Sequence, residues 1–540
     1  MVAAKHPLIG EAGVDIMRRG GNAVDAAVAA AFVDCVVEPA MNGIGGEGVM
    51  AIHMAETGED VIIDYVGRPS KNCRPDMYEL ERERGEVGLF GWIAVKDDAN
   101  LIGYRAPTVP GMVAGLCLAL ERYGTMSLEE VMGSAIRIAE EGFVVGYALF
   151  EHIATSMEVL SRYPEWVKIF LKGGCFPYRP WNRAQRMPPE VLIQKDLAES
   201  LRKIAMGGPD VFYRGEIADA IARGMRRNGG LITEDDLASY EPIVTKPTPG
   251  DYRGYKVVYD PTHAGTTLME ALNILEGYDL RRLRHGSARS IHLIIEALRL
   301  AFADRFRYMG DPEFVKVPQR GLTSKEYAEV RRRSIDPNRA MMVEPGEPRR
   351  YEGVNTTHLS VVDKDRNMVS INQTLVTIFG SGVVVPGTGI ILDSAMAGLD
   401  PEPGHANSIQ PWKRRIQNVC PTLLLKEDRP FLNIGAPGGR AIPASLVQVT
   451  VNVVDYGMDI QEAIEAPRVT TEVEEAYVDD RVPARICETL RRMGHKVVPV
   501  DRAMYNFARP VGILVDHKRE MLHGGVDCLF TALESQAVGY

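Results

Sequence analysis

From Met368 to Val376 the chain reads MVSINQTLV, and just upstream THLSVV (357–362) repeats the same step-of-two alternation of apolar and polar positions. That period puts apolar side chains on one face of a strand. The intervening DKDRN (363–367) predicts a turn, so the two runs form a hairpin. If Val362 opposes Met368, regular antiparallel pairing sets Thr356 opposite Thr374, with facing Cβ atoms about 4.5–5.5 Å apart.

Elsewhere the period changes. In EAGVDIMRRGGNAVDAAVAAAFVDCVVEP (11–39) apolar residues recur at helical spacing. Gly20-Gly21 stops one helix, Asn22 caps the next and Pro39 ends it. The turn Gly43–Gly48 leads into VMAIHMAETGEDVIIDYV (49–66), which reads as a second hairpin. Without a P-loop lysine or a following helix, its glycines predict close backbone packing, not a phosphate cradle. Residues 110–330 read as mainly helical. Within them His292 and Glu296 share a helical face as a structural pair with no further ligand pair beside it. The charged stretch 336–353 reads as a mobile loop. Further strands (GVVVPG, GIILD, PTLLLK, RPFLNIGAPGG), a helix from about Ala441 to Tyr456 and a β-α-β-like tail complete the chain.

Composition narrows the function classes. With 540 residues, 45% hydrophobic and 25% charged, the chain is an ordinary globular protein, long enough for a large core. A net charge of −10 with scattered basic residues argues against nucleic acid as a partner. Seven widely spaced cysteines with no C-x-x-C pair read as reduced core residues rather than a disulfide framework or a zinc knuckle. No basic-then-apolar leader opens the chain as given, and no run of about 18 apolar residues occurs, so the reading is cytoplasmic, with no membrane contact.

The chemistry follows from the doubled threonine behind Asn355. A mid-chain hydroxyl has no base at hand. Cutting the Asn355–Thr356 bond would give Thr356 its own α-amine, titrating near about pH 8, within reach of its Oγ. β-Branching limits the rotamers of that side chain. For a developing oxyanion the best donors are the backbone amides around Gly438 and Gly439, in a glycine turn between a strand and a helix N-terminus.

These segments together resemble the γ-glutamyltransferase family of N-terminal-nucleophile hydrolases, over nearly the whole chain. The carrying residues are HPLIGEAGVDIMRRGGNAVDAAVAAA (6–31), VVEPAMNGIGGEG (36–48), PTVPGMVAGLCLALERYG (107–124), GGLITEDDLASY (229–240), NTTHLSVVDKDRNMVS (355–370), FGSGVVVPGTGI (379–390) and GAPGG (435–439). The resemblance implies an α+β fold, one large four-layer αββα sandwich formed by two autoprocessed subunits. The helix-rich large subunit, 1–355, would supply outer layers and part of the substrate pocket; the small subunit, 356–540, would begin with the nucleophile. Thr356 would attack, Thr374 would be its hydroxyl partner, and Gly438 and Gly439 would line the oxyanion hole. No cofactor and no metal is implied. The partners are a small-molecule amide and the two subunits of one precursor, with a homodimer as a possible assembly.

The recognition residues depart from the family pattern. Val376, Ala395, Gly398 and Gln417-Asn418 stand where family members acting on glutathione carry polar groups for the glutamyl head. DYVGRP (64–69) is one residue short, placing Val66 at the expected arginine and leaving Arg68 as its substitute. Each missing charge-assisted partner is worth about 1.5–3 kcal/mol, so a zwitterionic glutamyl head fits poorly. Arg68, Arg414, Arg415 and Arg440 are the candidates for an acid-bearing substrate. The expectation is an amide hydrolase or acyltransferase of the family; an acylase of non-glutamyl specificity and a non-catalytic member are the alternatives.

Overall fold

The computed structural model describes residues 1–87, 92–182, 184–247, 249–341, 355–472, 474–501, 507–528 and 535–539; the side chain of Asn355 is also outside this set. Most of the expected loop 336–353 therefore lies outside the described residues. Two sheets lie face to face. The front sheet has seven strands in the order 243–245, 59–65, 47–54, 368–376, 355–362, 2–4 and 536–538; the back sheet has six, in the order 250–252, 255–259, 422–426, 429–435, 511–516 and 521–526.

Strand alternation sorts the side chains into layers. Val49, Ala51, Ile62, Val362 and Met368 meet Val258, Leu423, Leu425 and Ile513 between the sheets. Their neighbours Met50, Ile52, Ile63, Val361 and Val369 turn outward and pack with helices Pro7–Arg18, Ala23–Val37 and Met112–Tyr123. On the opposite side Leu424, Leu432 and Ile434 pack with helices Gly265–Glu276, Ala288–Tyr308 and Ala441–Val454. The resulting order is helix, sheet, sheet, helix, an α+β sandwich.

Local signals behave as expected at several points. Helix Ala23–Val37 is nearly all buried, and Asn22 caps it in a box with Asp25, satisfying amides the helix cannot. The glycine turn is packed, as its composition predicts: a Cβ on Gly45 would sit 2.2 Å from Ile391 O, and one on Gly46 2.5 Å from Thr374 O. The tail holds a true β-α-β unit, with Glu475–Asp479 parallel to Lys496–Val500 across helix Ala484–Arg492.

Other expectations need correction. The region 110–330 is less purely helical than its periodicity predicts, because Tyr255–Tyr259 pairs along its whole length with Thr422–Lys426. The short run Val2–Ala4 is a strand held between 359–361 and 536–538; three residues carry too little pattern to be read. All seven cysteines are free thiols, but Cys175 is exposed and Cys528 only half-buried, so not all belong to the core. Among the described residues no helix is long and apolar enough to cross a membrane.

Candidate active site

The hairpin that carries the threonines is formed by Asn355–Val362 and Met368–Val376. Its register agrees with the sequence reading from Val362 opposite Met368 through Thr357 opposite Gln373. It then shifts, and Asn355 faces Val376. One residue, Thr356, thus lies against two, Thr374 and Leu375, a β-bulge at the Asn355 end of the ladder. The expected pairing of the two hydroxyls survives in altered form: Thr356 Oγ donates to Thr374 Oγ at 3.5 Å, at the outer limit of a hydrogen bond, and Thr374 Oγ accepts the Val376 amide at 2.7 Å.

Strand parity explains why two threonines stand together. Thr356 is on the face between the sheets, with His358, Ser360, Ser370 and Asn372. Thr357 points the other way, toward the helices, where its hydroxyl donates to Asp34 at 3.3 Å. Gln373 and Asn42 donate to the second Asp34 oxygen, each at 3.0 Å. Burial, with the nearby Glu38 charge, pushes the Asp34 carboxyl up to about 8. One helix residue therefore ties down both strands immediately behind the bulge.

The space between the sheets is polar at this end. Asn372 donates to Ala436 O at 2.9 Å and to Thr357 O at 3.3 Å, which links the glycine loop directly to the threonine strand. Asn433 returns the link with bonds to Val361 O and Val369 O. The ring of His358 fills the room that a Cβ on Gly435 would occupy, 2.2 Å away, and burial pushes its imidazole down to about 3. Gly438 and Gly439 follow, with φ of 134° and 57°, a region L-residues with a Cβ seldom adopt. A Cβ on Gly438 would also lie 2.3 Å from Ala508 Cα. The helix starting at Ala441 rises from this loop.

The recognition candidates sit around this centre. Val376 is buried with φ of 78°, a conformation costing about 1–3 kcal/mol in a β-branched residue. Ala395 and Gly398 bound a short 3-10 turn, in which the Ala395 amide reaches Asp393 at 2.9 Å. Burial, reinforced by Glu47, pushes the Asp393 carboxyl up to about 8.

The arginines from the sequence reading all have carboxylate partners. Arg68 forms a two-point pair with Glu313 at 3.0 and 3.2 Å. Arg414 bridges Asp64 and Asp311, Arg415 binds Glu47, and Arg440 pairs with Glu472 at 2.9 Å.

Sequence reasoning missed Arg305. From inside helix Ala288–Tyr308 it donates to Gln417 O at 2.7 Å and Asn418 Oδ1 at 2.9 Å, holding the segment where both expected binding residues lie. Burial, with Arg440 close by, pushes its guanidinium down to about 10. In sequence it is one more arginine on an amphipathic helix, with nothing to separate it from a surface residue.

The His292–Glu296 pair is not unaccompanied: His495, two hundred residues on, completes a buried triad. His292 Nε2 donates to Asp336 O at 2.8 Å, which leaves Nδ1 to accept from His495 Nε2 at 2.7 Å. Arg299 donates to Glu296 at 2.8 Å, and the Met341 amide reaches it at 3.2 Å. The group thus anchors the segment 336–341 that leads toward Thr356.

Two packed sheets between helical layers, with a threonine pair at one end of the inter-sheet space, define the N-terminal-nucleophile hydrolase class of fold. A family model described as Gamma-glutamyltranspeptidase matches residues 10–529, and the chain belongs to that family. The Acylase ACY 1 proenzyme of Pseudomonas sp. (strain SE83) is 41% identical over 500 residues, 92% of this chain and 87% of its own. The Glutathione hydrolase proenzyme of Escherichia coli (strain K12) is 38% identical over 484 residues, 87% of this chain and 80% of its own. Among solved structures, a cephalosporin acylase from Bacillus halodurans superposes with a TM-score of 0.86 at 33% identity, covering 97% of this chain and 93% of that one. A gamma-glutamyltranspeptidase from Helicobacter pylori gives 0.58 at 37% identity, covering 64% and 96%. The chain is accordingly an enzyme, a hydrolase or transferase of this family.

Proposed function

We propose that the protein is a self-processing amide hydrolase whose nucleophile is Thr356, acting as an acylase on acyl groups that lack the glutamyl zwitterion. In maturation Thr356 Oγ adds to the carbonyl carbon of Asn355. The C–N bond breaks as the nitrogen takes up the proton, and an ester remains. Water then cleaves the ester, so that one water is added overall. The products are a large chain 1–355 and a small chain 356–540 that opens with a free amine.

In turnover that amine accepts the Oγ proton as Thr356 attacks the substrate amide, and returns it to the leaving amine. Water, or less readily a second amine, releases the acyl group. Thr374 orients the nucleophile, and the Gly438 and Gly439 amides receive the oxyanion.

The observation that carries the nucleophile assignment is the buried Thr356–Thr374 hydroxyl contact at the bulge. The acylase half rests on the apolar residues 376, 395 and 398 and on the carboxylates already bound to Arg68, Arg414, Arg415 and Arg440. Relatives named as acylase and cephalosporin acylase proteins agree with it.

Denaturing mass spectrometry tests the first half. Purified protein should give two fragments, the smaller beginning Thr-Thr-His, and Thr356→Ala should stay at 59.6 kDa with activity down by about 10⁴-fold or more. Cleavage of the variant at the same bond would refute the assignment. Amine release from γ-glutamyl-anilide and from simple acyl anilides tests the second half, and turnover of the γ-glutamyl compound alone would sink the acylase reading.

A further inference from the structure

Apart from the main cores, Val376, Ala395 and Ala397 form a small apolar cluster of their own, with Trp92 and Leu101 packed against it. The cluster adjoins the reaction centre: the Val376 amide is bound to Thr374 Oγ, and Val376 faces Asn355 across the hairpin. Two features are not accounted for by folding alone. Val376 holds a left-handed backbone conformation that a β-branched side chain resists, and such strain collects where function requires it. The Trp92 indole Nε1 is sealed from solvent with no acceptor among the described residues, although buried N–H groups nearly always find one. A strand of two residues, Trp92–Ile93, carries this indole.

Building on the acylase reading above, we propose that Trp92 and Leu101, with Val376, Ala395 and Ala397, form the wall that receives the acyl part of the substrate. The indole N–H donates to an acceptor oxygen on that acyl chain. The substrate class is then an amide of a short acyl chain, apolar along its length, bearing a carbonyl oxygen and no ammonium. The carboxyl beside this wall, Asp393, is taken up by Thr108 and the Ala395 amide, and burial pushes it up to about 8, so an ammonium would lose its water without a charged partner in return.

The test compares three p-nitroanilides, of pentanoic acid, 4-oxopentanoic acid and γ-glutamic acid, on cleaved wild-type enzyme and on Trp92→Phe. In wild type the 4-oxopentanoyl compound should exceed the pentanoyl compound in kcat/KM by roughly tenfold, the value of one hydrogen bond, with the γ-glutamyl compound below both. In Trp92→Phe the ratio of the first two should fall to about one, and self-cleavage of the variant reports that it is folded. If it does not cut itself, the wild-type ratio alone decides. A wild-type ratio near one, a tenfold ratio that persists in the variant, or a γ-glutamyl compound that ranks first would each overturn the pocket. Cleaved enzyme that turns over none of the three removes the pocket but leaves self-processing standing. Protein that never cuts itself removes the reading beneath both.

Discussion

The hairpin end of the inter-sheet space and the ring of charges around it are built on different principles. At the hairpin, the two hydroxyls proposed to react lie on adjacent strands, and the Gly438 and Gly439 amides come from the loop after a strand of the facing sheet, tied to the hairpin by Asn372. Near it, Arg68, Arg414 and Arg415 are answered by carboxylates far off in the chain, as with Arg68 and Glu313 or Arg415 and Glu47. A reaction centre made of hydroxyls and backbone amides needs few side chains from its surroundings. The side chains around it can therefore be rewritten without touching the chemistry.

The sharpest way to break the comparison is at Thr374. Thr374→Val keeps the shape and the branching but removes the hydroxyl. It should cost roughly a hundredfold in kcat and about 1–3 kcal/mol of stability, because the buried Val376 amide loses its acceptor. Single-turnover kinetics and thermal denaturation would measure the two losses, and an undiminished rate would mean that the pair is only structural.

Asp34 supports the hairpin from the helix side, and its effect is pH-dependent. Its folded pKa of about 8 lies above the ordinary 3.8, so between those values the folded state binds more protons than the unfolded one. Its contribution to stability is present below about pH 4 and is lost as the pH rises to about 8. Asp34→Asn should therefore flatten the fall in Tm across that range relative to wild type. Parallel Tm profiles in the two proteins would show that Asp34 is not held neutral.

The smallest effect on turnover belongs to the charged ring. Glu313 is about half exposed, but Arg68 is buried and also donates to Trp412 O at 2.8 Å, so Arg68→Ala should cost about 1–3 kcal/mol of stability. It should leave the preference among acyl donors within about twofold. A large selective loss on acid-bearing donors would move Arg68 from scaffold to binding group.

This division also marks what could be read from sequence. The hairpin, its turn and the capped helix at Asn22 were legible because each is decided within a few residues; the glycine run showed close packing by composition alone, while its partners Ile391 and Thr374 lie far along the chain. The hairpin register was right until the bulge, since counting assumes an unbroken ladder and nothing in VNTTH marks the extra residue opposite. The partners of Arg68 and His292 were not legible, because only the folded sheets bring residues some two hundred positions apart within hydrogen-bonding reach. Arg305 and Trp92 were hidden for the same reason.

The strand 2–4 lies between 355–362 and 536–538, and 47–54 lies against 368–376. Hydrolysis after Asn355 would sever the covalent thread while leaving the pieces interlaced, each contributing strands to both sheets. The fragments should travel as one particle on a sizing column and part only in denaturant. A chain refolded from separated halves would have to thread its first residues between two strands of the other piece.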